Sequence, residues 1–169
     1  NEGYSFGFSV STAGDVNGDG YSDVLVGQPY NGTGKVFLYY GSSTGLSVTA
    51  NWSVTSTEGF GFSVSTAGDV NGDGYSDIII GNPNYADFGI VGKAYIYYGS
   101  ASGPSQNYDW GIRGPYSLYE FGYSVSTAGD VNGDGYSDIL VGSPGGFTND
   151  QDGRAFLWYG SSAGFVQDS

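Results

Sequence analysis

Cysteine, methionine and histidine are all absent from these 169 residues. No disulfide can form, so cysteine usage gives no hint of compartment. Without Cys or His, every nucleophile–histidine pairing of the protease or esterase kind is excluded. Basic residues are scarce: four Lys and Arg stand against 17 Asp and Glu, for a net charge of −13. That balance argues against nucleic acid and anionic membrane surfaces as partners, because both need basic patches. No stretch is apolar enough to insert into a membrane, and no helical period of apolar residues is visible. No leader-like segment is visible either, and the chain opens on Asn1 rather than Met. It therefore reads as a mature product, an excised fragment or an engineered repeat.

What is abundant is glycine and aromatic residues, with 32 Gly, 16 Tyr and 10 Phe. The glycines recur at fixed places beside strand-like runs, which marks them as turn residues rather than low complexity. Internal repetition decides the fold. Residues 9–23 recur unchanged as 63–77 and 124–138. An aromatic-Gly-aromatic step precedes each block: Phe6-Gly7-Phe8, Phe60-Gly61-Phe62 and Phe121-Gly122-Tyr123. An apolar run and a Gly-x-Pro follow it, ending at Pro29, Pro83 and Pro144. Then come a base (Lys35, Lys93, Arg154) and a strand-like run ending in aromatic-Tyr-Gly-Ser.

Each unit reads as short strands between turns. In the first unit they are expected near residues 6–13, 23–27 and 35–40, with a more polar fourth strand at 51–56. The second unit has its fourth strand near 108–112. The second strand of each unit is continuously apolar, as where both faces are buried. The expected fold is all-β: β-propeller blades, three four-stranded repeats at approximately 1–57, 58–118 and 119–169, in a single segment 1–169. The third unit shows no counterpart of residues 51–56, so the last blade is incomplete in sequence. Three blades are too few to close a ring, so completion is expected by oligomerisation, as a homodimer giving six blades, or within the remainder of a larger propeller.

The chemistry lies in a nine-residue loop, Asp15-Val16-Asn17-Gly18-Asp19-Gly20-Tyr21-Ser22-Asp23. Oxygen-bearing side chains stand at positions 1, 3, 5 and 9, and the Tyr21 carbonyl can supply another at position 7. Ca²⁺ seeks about six to eight oxygens, and alternate residues of a tight turn can aim at one centre. Mg²⁺ is less suited, since it keeps more water. An EF-hand would need an acid at position 12, where this chain has Val26, Ile80 and Val141. One Asp-Gly-rich hairpin would be unremarkable as a turn; three identical copies with four oxygen side chains each point to metal. Nine of the 17 acids lie in these loops, and three Ca²⁺ ions would bring the net charge to about −7.

The Phe-Gly step, the Asp-x-Asn-x-Asp-Gly-x-x-Asp loop and the Gly-x-Pro together resemble the FG-GAP repeat of integrin α-subunit β-propellers and their bacterial relatives. Gln28, Asn82 and Ser143 replace the family's usual Ala. The near-identity of the copies points to recent duplication or repeat design. The resemblance implies three structural Ca²⁺ sites, on the face away from where integrins meet ligands. It implies as ligands Asp15, Asn17, Asp19, Tyr21 and Asp23; Asp69, Asn71, Asp73, Tyr75 and Asp77; and Asp130, Asn132, Asp134, Tyr136 and Asp138. It also implies an extracellular or cell-surface setting.

Other residues are weighed against packing. Tyr39-Tyr40, Tyr97-Tyr98 and Trp158-Tyr159 could stack on sugars, but their repetition at strand ends favours contacts between blades. Trp52 and Trp110 are expected to pack. Lys35, Lys93 and Arg154 hold equivalent places, which suggests structural ion pairs. Arg113 lies in an insert, residues 111–119, with no counterpart. The acids outside the loops show no pairing suited to a glycosidase. The sequence thus reads as a non-enzymatic calcium-binding module, a structural, interaction or adhesion scaffold with a protein or glycan ligand. A lectin-type propeller is the alternative, and a glycan-active enzyme fragment a weaker one.

Overall fold

A computed structural model of the chain describes residues 4–30, 32–86, 91–114, 120–145 and 152–167. Among the described residues twelve strands form three antiparallel four-stranded sheets. The first holds β1 (Ser9–Gly14), β2 (Asp23–Gln28), β3 (Gly34–Tyr39) and β4 (Trp52–Ser56). The second holds β5 (Ser63–Gly68), β6 (Asp77–Asn82), β7 (Lys93–Tyr97) and β8 (Trp110–Arg113). The third holds β9 (Ser124–Gly129), β10 (Asp138–Ser143), β11 (Arg154–Tyr159) and β12 (Val166–Gln167). Within each sheet every strand pairs with its neighbour in sequence. The first strands lie side by side from sheet to sheet, β1 against β5 and β5 against β9. This is the arrangement of consecutive propeller blades, each resting a face on the next.

Local chemistry explains the strand ends. The aromatic-Gly-aromatic step was expected inside the first strand, but it forms a turn ahead of it. The Phe8 N–H donates to the Ser5 carbonyl at 3.1 Å, and Phe62 and Tyr123 repeat this onto Gly59 and Glu120. Gly7 makes the turn possible, with φ at 82°. At its other end each first strand carries a bulge. The pairing of β1 with β2 slips between Thr12 and Gly14, leaving Ala13 without an opposite residue. Thr12 Oγ1 accepts the Gly14 N–H at 3.2 Å, and the same bond recurs at Thr66 and Thr127. The bulge bends the chain out of the sheet and into the Asp-rich loop. The second strands are the buried centre of each blade; in β6 all six residues are buried.

The core occupies the seams between blades. Leu25, Val36, Leu38 and Trp52 of the first blade meet Val64, Ile78, Ile80 and Tyr97 of the second. On its other side the second blade sets Val70, Ile79 and Ile96 against Phe121, Ile139, Val141 and Trp158 of the third.

The third blade, expected to be incomplete, ends in only a two-residue strand, β12, which pairs with Trp158 and Tyr159. Pairing needs only an extended backbone along the free edge of β11, so residues unlike 51–56 can supply it. Of the insert at 111–119, residues 115–119 lie outside the described residues.

Candidate metal-binding loops and the seams between blades

Each Asp-rich loop runs from the bulge of a first strand to the start of the second. Its side chains are turned onto the loop's own backbone. Asp15 accepts from the N–H groups of Asp19 at 3.0 Å and Gly20 at 2.8 Å. Asn17 Oδ1 accepts the Asp19 N–H at 3.1 Å, and its amide donates to Asp19 Oδ2 at 2.9 Å. Asp19 Oδ1 takes the Tyr21 N–H at 2.9 Å. The second and third loops repeat this pattern through Asp69, Asn71 and Asp73 and through Asp130, Asn132 and Asp134. Three backbone N–H groups, led by Gly135, hold the exposed Asp130 carboxyl below its ordinary range.

The ninth residue behaves differently. Asp23, Asp77 and Asp138 are fully buried. Each uses one oxygen on the loop and the other on the end of the third strand. Asp77 accepts from Val70 N–H at 2.8 Å and Gly99 N–H at 2.9 Å. Asp23 does so with Val16 and Gly41, and Asp138 with Val131 and Gly160. Burial pushes the Asp77 carboxyl up to about 7, because desolvation outweighs the two N–H groups and the Asp73 and Asp69 charges add to it. Asp23 is raised for the same leading reason.

The loop thus keeps carboxylates 1, 5 and 9 in one turn but directs them to N–H groups. Among the described residues no three acidic side chains converge on one point. The donor set of each loop is nonetheless all oxygen: three carboxylates, an amide and the peptide carbonyl of Tyr21, Tyr75 or Tyr136. Oδ1 of Asp69 and of Asp130 each accept two backbone N–H groups, whereas the oxygens that accept one retain a further lone pair. That chemistry fits a hard cation.

The loops also interlock from blade to blade, which the sequence did not suggest. The Tyr75 ring lies on Gly18, where a β-carbon would stand 2.6 Å from it, and Tyr136 lies on Gly72 in the same way. The Ser76 N–H donates to the Asp15 carbonyl at 3.0 Å, and Ser137 N–H to Asp69 at 2.8 Å.

A second contact joins the blades at the Phe-Gly turn. Ser9 Oγ donates to the Gly61 carbonyl at 2.8 Å, and Ser63 Oγ to Gly122 at 2.9 Å. A β-carbon at Gly27 would overlap the Gly61 carbonyl, and one at Gly34 the Phe60 backbone; Gly81 and Gly92 stand likewise to Gly122 and Phe121. The signal for these residues was present in the Ser and Gly repeated in every unit. Only the packed blades show that they face a neighbour.

The remaining candidates resolve as packing. Tyr97 is 2% exposed and meets Trp52 edge-on at 5.3 Å, so it offers no sugar platform. Trp110 packs on Phe165 at 5.9 Å. Two of the three bases expected to form ion pairs lie against aromatic faces. Lys35 Nζ lies 4.6 Å from the Phe37 ring. Lys93 Nζ lies 5.2, 4.5 and 4.3 Å from the rings of Tyr85, Tyr95 and Tyr108 and donates to the Tyr108 hydroxyl at 3.2 Å. Among the described residues rings lie against these two ammonium groups, and a ring face attracts a cation.

Consecutive meandering sheets packed face to face, with their first strands adjacent and an Asp-rich loop on each, define the class: a run of β-propeller blades in architecture. Comparison with known proteins gives the family. The FG-GAP-like repeat matches residues 15–80, and the FG-GAP repeat matches residues 121–158. Integrin alpha-PS5 of Drosophila melanogaster is 37% identical over 157 residues, covering 85% of this chain and 15% of its own length. Integrin alpha-4 of Xenopus laevis is 34% identical over 152 residues, covering 83% and 14%. Integrin alpha pat-2 of Caenorhabditis elegans is 35% identical over 176 residues, covering 94% and 14%. The chain belongs to the FG-GAP repeat family, in its integrin α-like form. It spans about 15% of the length of the integrin α subunits it matches.

Proposed function

We propose that this chain is a calcium-binding propeller segment, residues 1–169 with blades at approximately 1–57, 58–118 and 119–169, that serves as a non-enzymatic interaction or adhesion scaffold. Its ligands for Ca²⁺ are the fifteen loop residues, four side chains and one carbonyl per blade. The ion staples the hairpin between the first and second strands. The similarity to integrin α subunits supports the adhesive role and an extracellular or cell-surface setting. It also supports a place within a complete ring, whose further blades come from a second copy or a longer chain.

The observation that carries the calcium reading is Asp77. A fully buried carboxylate, raised to about 7 with two more carboxylates contributing, is costly unless a cation sits beside it. Bound Ca²⁺ would supply that charge and tie the loop to the end of the third strand. At a free concentration a hundred times Kd, each independent site would add about 2.7 kcal/mol.

The test is a thermal melt with and without chelator, together with metal analysis of the purified protein. Ca²⁺ is expected to raise the melting temperature and EDTA to lower it. Asp77→Asn should remove about one ion per chain and blunt the Ca²⁺ response. A metal-free protein whose melt ignores both Ca²⁺ and EDTA would overturn the proposal.

A further inference from the structure

Each Asp-rich loop contains an asparagine followed by glycine: Asn17-Gly18, Asn71-Gly72 and Asn132-Gly133. That pair has a chemistry of its own. The glycine nitrogen can attack the carbonyl carbon of the asparagine side chain and close a cyclic imide, because glycine has no side chain to crowd the approach. In an open chain the step is slow, since an amide nitrogen is a weak nucleophile and an amide NH₂ leaves reluctantly. A folded loop speeds it only by holding the reacting atoms and their protons in place.

The second and third loops hold the attacking nitrogen, the carbonyl oxygen and the leaving nitrogen together. The Gly72 N–H donates to Asp69 Oδ1 at 2.7 Å, and the Gly133 N–H to Asp130 Oδ1 at 2.7 Å. Both bonds are at the short end for an N–H donor, so a carboxylate stands where the proton of the attacking nitrogen must leave. Asn71 Oδ1, where negative charge gathers as the ring closes, accepts the Asp73 N–H at 3.0 Å. Asn71 Nδ2, the leaving nitrogen, donates to Asp73 Oδ2 at 2.9 Å. Asp134 holds Asn132 in the same way. The first loop is a matched control. Asn17 makes the same two bonds to Asp19, and Tyr75 lies on Gly18 as Tyr136 lies on Gly72. Among the described residues, however, no carboxylate takes the Gly18 N–H; Asp15 takes those of Asp19 and Gly20.

We propose that Asn71 and Asn132 are sites of self-catalysed deamidation, at which the loop converts its own amide to an aspartyl or isoaspartyl residue. At Asn71 the bond from Gly72 N to Cγ forms and the bond from Cγ to Nδ2 breaks. The Gly72 proton passes by way of Asp69 to the departing nitrogen, which leaves as ammonia. Water then opens the imide. Attack at Cγ gives aspartate, and attack at the main-chain carbonyl gives isoaspartate, whose backbone runs through the former side chain. One water enters and one ammonia leaves, with no change of oxidation state. Either product adds a carboxylate to the loop, and isoaspartate also lengthens its backbone by a methylene. The inference needs only the bonds above and stands whether or not the loop takes Ca²⁺.

The test incubates the whole chain at neutral pH in EDTA, below its melting transition, and follows each asparagine by peptide mass mapping. Enzymatic methylation of isoaspartate gives a second readout. Asn71 should convert about tenfold faster in the folded chain than in the same chain held in urea, a gain below that of an enzyme's positioned acid or base because water competes at an exposed loop. Asn17 should trail Asn71. Asn51 and Asn107, followed by Trp52 and Tyr108, should stay unconverted. Asp69→Asn should slow Asn71 to its rate in urea and leave Asn132 unchanged, with a melting transition that confirms the fold. Should that variant fail to fold, the wild-type comparison of Asn71 with Asn17 decides alone. Asn71 converting no faster in the folded chain than in urea, or no faster than Asn17, overturns the inference. A folded Asp69→Asn chain that keeps the wild-type rate at Asn71 overturns it as well.

Discussion

The middle blade buries what its neighbours leave in water, although all three carry the same fifteen residues after the Phe-Gly turn. Val64 is 7% exposed, and its counterpart Val10 is 67% exposed. Val70 is 1% exposed, and Val131 is 53% exposed. Identical sequence has met three environments, so the difference belongs to the seams. Val64 looks back on the first blade, whereas no described strand stands in that place beside Val10. Val70 is covered by the third blade, and Val131 faces outward. A blade of this family therefore owes much of its hydrophobic stabilisation to its neighbours rather than to its own sheet.

The largest expected effect comes from the seam glycines. Gly81→Val would drive a side chain into the Gly122 backbone, and backbone cannot step aside as a flexible side chain can. It should cost about 3 kcal/mol of stability by urea unfolding. Gly142→Val meets only Ser124, whose hydroxyl can rotate away, and in the monomer should cost less than about 1 kcal/mol. Equal losses would break the comparison. Next in size is the valine pair. Val64→Ala should cost about 2 kcal/mol, and Val10→Ala about 0.5 kcal/mol or less. If the two lose alike, the seam is not what stabilises the middle blade.

Acid sharpens the contrast within the loops. Asp77 has its carboxyl raised from 3.8 to about 7 in the folded chain. Between those values the folded state holds a proton that the unfolded state releases, so stability in EDTA should rise as pH falls from about 7 toward 4. Asp23 acts in the same direction. Asp130, lowered by its N–H partners, acts oppositely, with stability lost only as pH falls below the ordinary carboxylate range. In saturating Ca²⁺ the ionised form is the ligand, so the slope between pH 7 and 5 should reverse. The urea midpoint measured across that window, with and without Ca²⁺, reads both slopes. A flat midpoint in EDTA would remove Asp77 as the sensitive group, and Asp77→Asn should flatten it.

Much of the architecture was legible because the chain repeats itself. Three copies of residues 9–23 fixed the number of units, and the apolar runs beginning at Val24, Ile78 and Ile139 marked the central strands. The Asp-rich loop was legible as a group of oxygen donors. What the sequence concealed was relational. Nothing in Phe60-Gly61-Phe62 announces a turn that inserts into another blade, since a Gly between aromatics is equally at home in a strand. Ser9 and Ser63 look like polar residues of an alternating strand until their hydroxyls meet the next blade's carbonyl. Asp23 looks equivalent to Asp15, yet one is buried beneath the end of the third strand and the other caps an exposed turn. The outer strand β12 was hidden because edge pairing is made by backbone, which leaves little mark on side-chain choice.

The smallest predicted difference concerns the two lysines, and it returns to the same contrast. Lys93, 7% exposed in the middle blade, has its ammonium within 5.2 Å of three ring centres. Lys35, half-buried in the first blade, has one ring at 4.6 Å. Desolvation strengthens the attraction of a cation to a ring face, and the number of rings multiplies it. Replacing each lysine by methionine keeps the aliphatic stem and removes the charge, so the change reports the cation rather than the packing. Lys93→Met should cost about 1 kcal/mol, including the bond to the Tyr108 hydroxyl, and Lys35→Met about half as much or less. The experiment is a pair of urea titrations, with Tyr108→Phe in the Lys93→Met background to separate hydroxyl from rings. If Lys93→Met stabilises the protein, burial of the charge outweighs the three rings, and the cluster is then a strain the seam tolerates rather than a source of its stability.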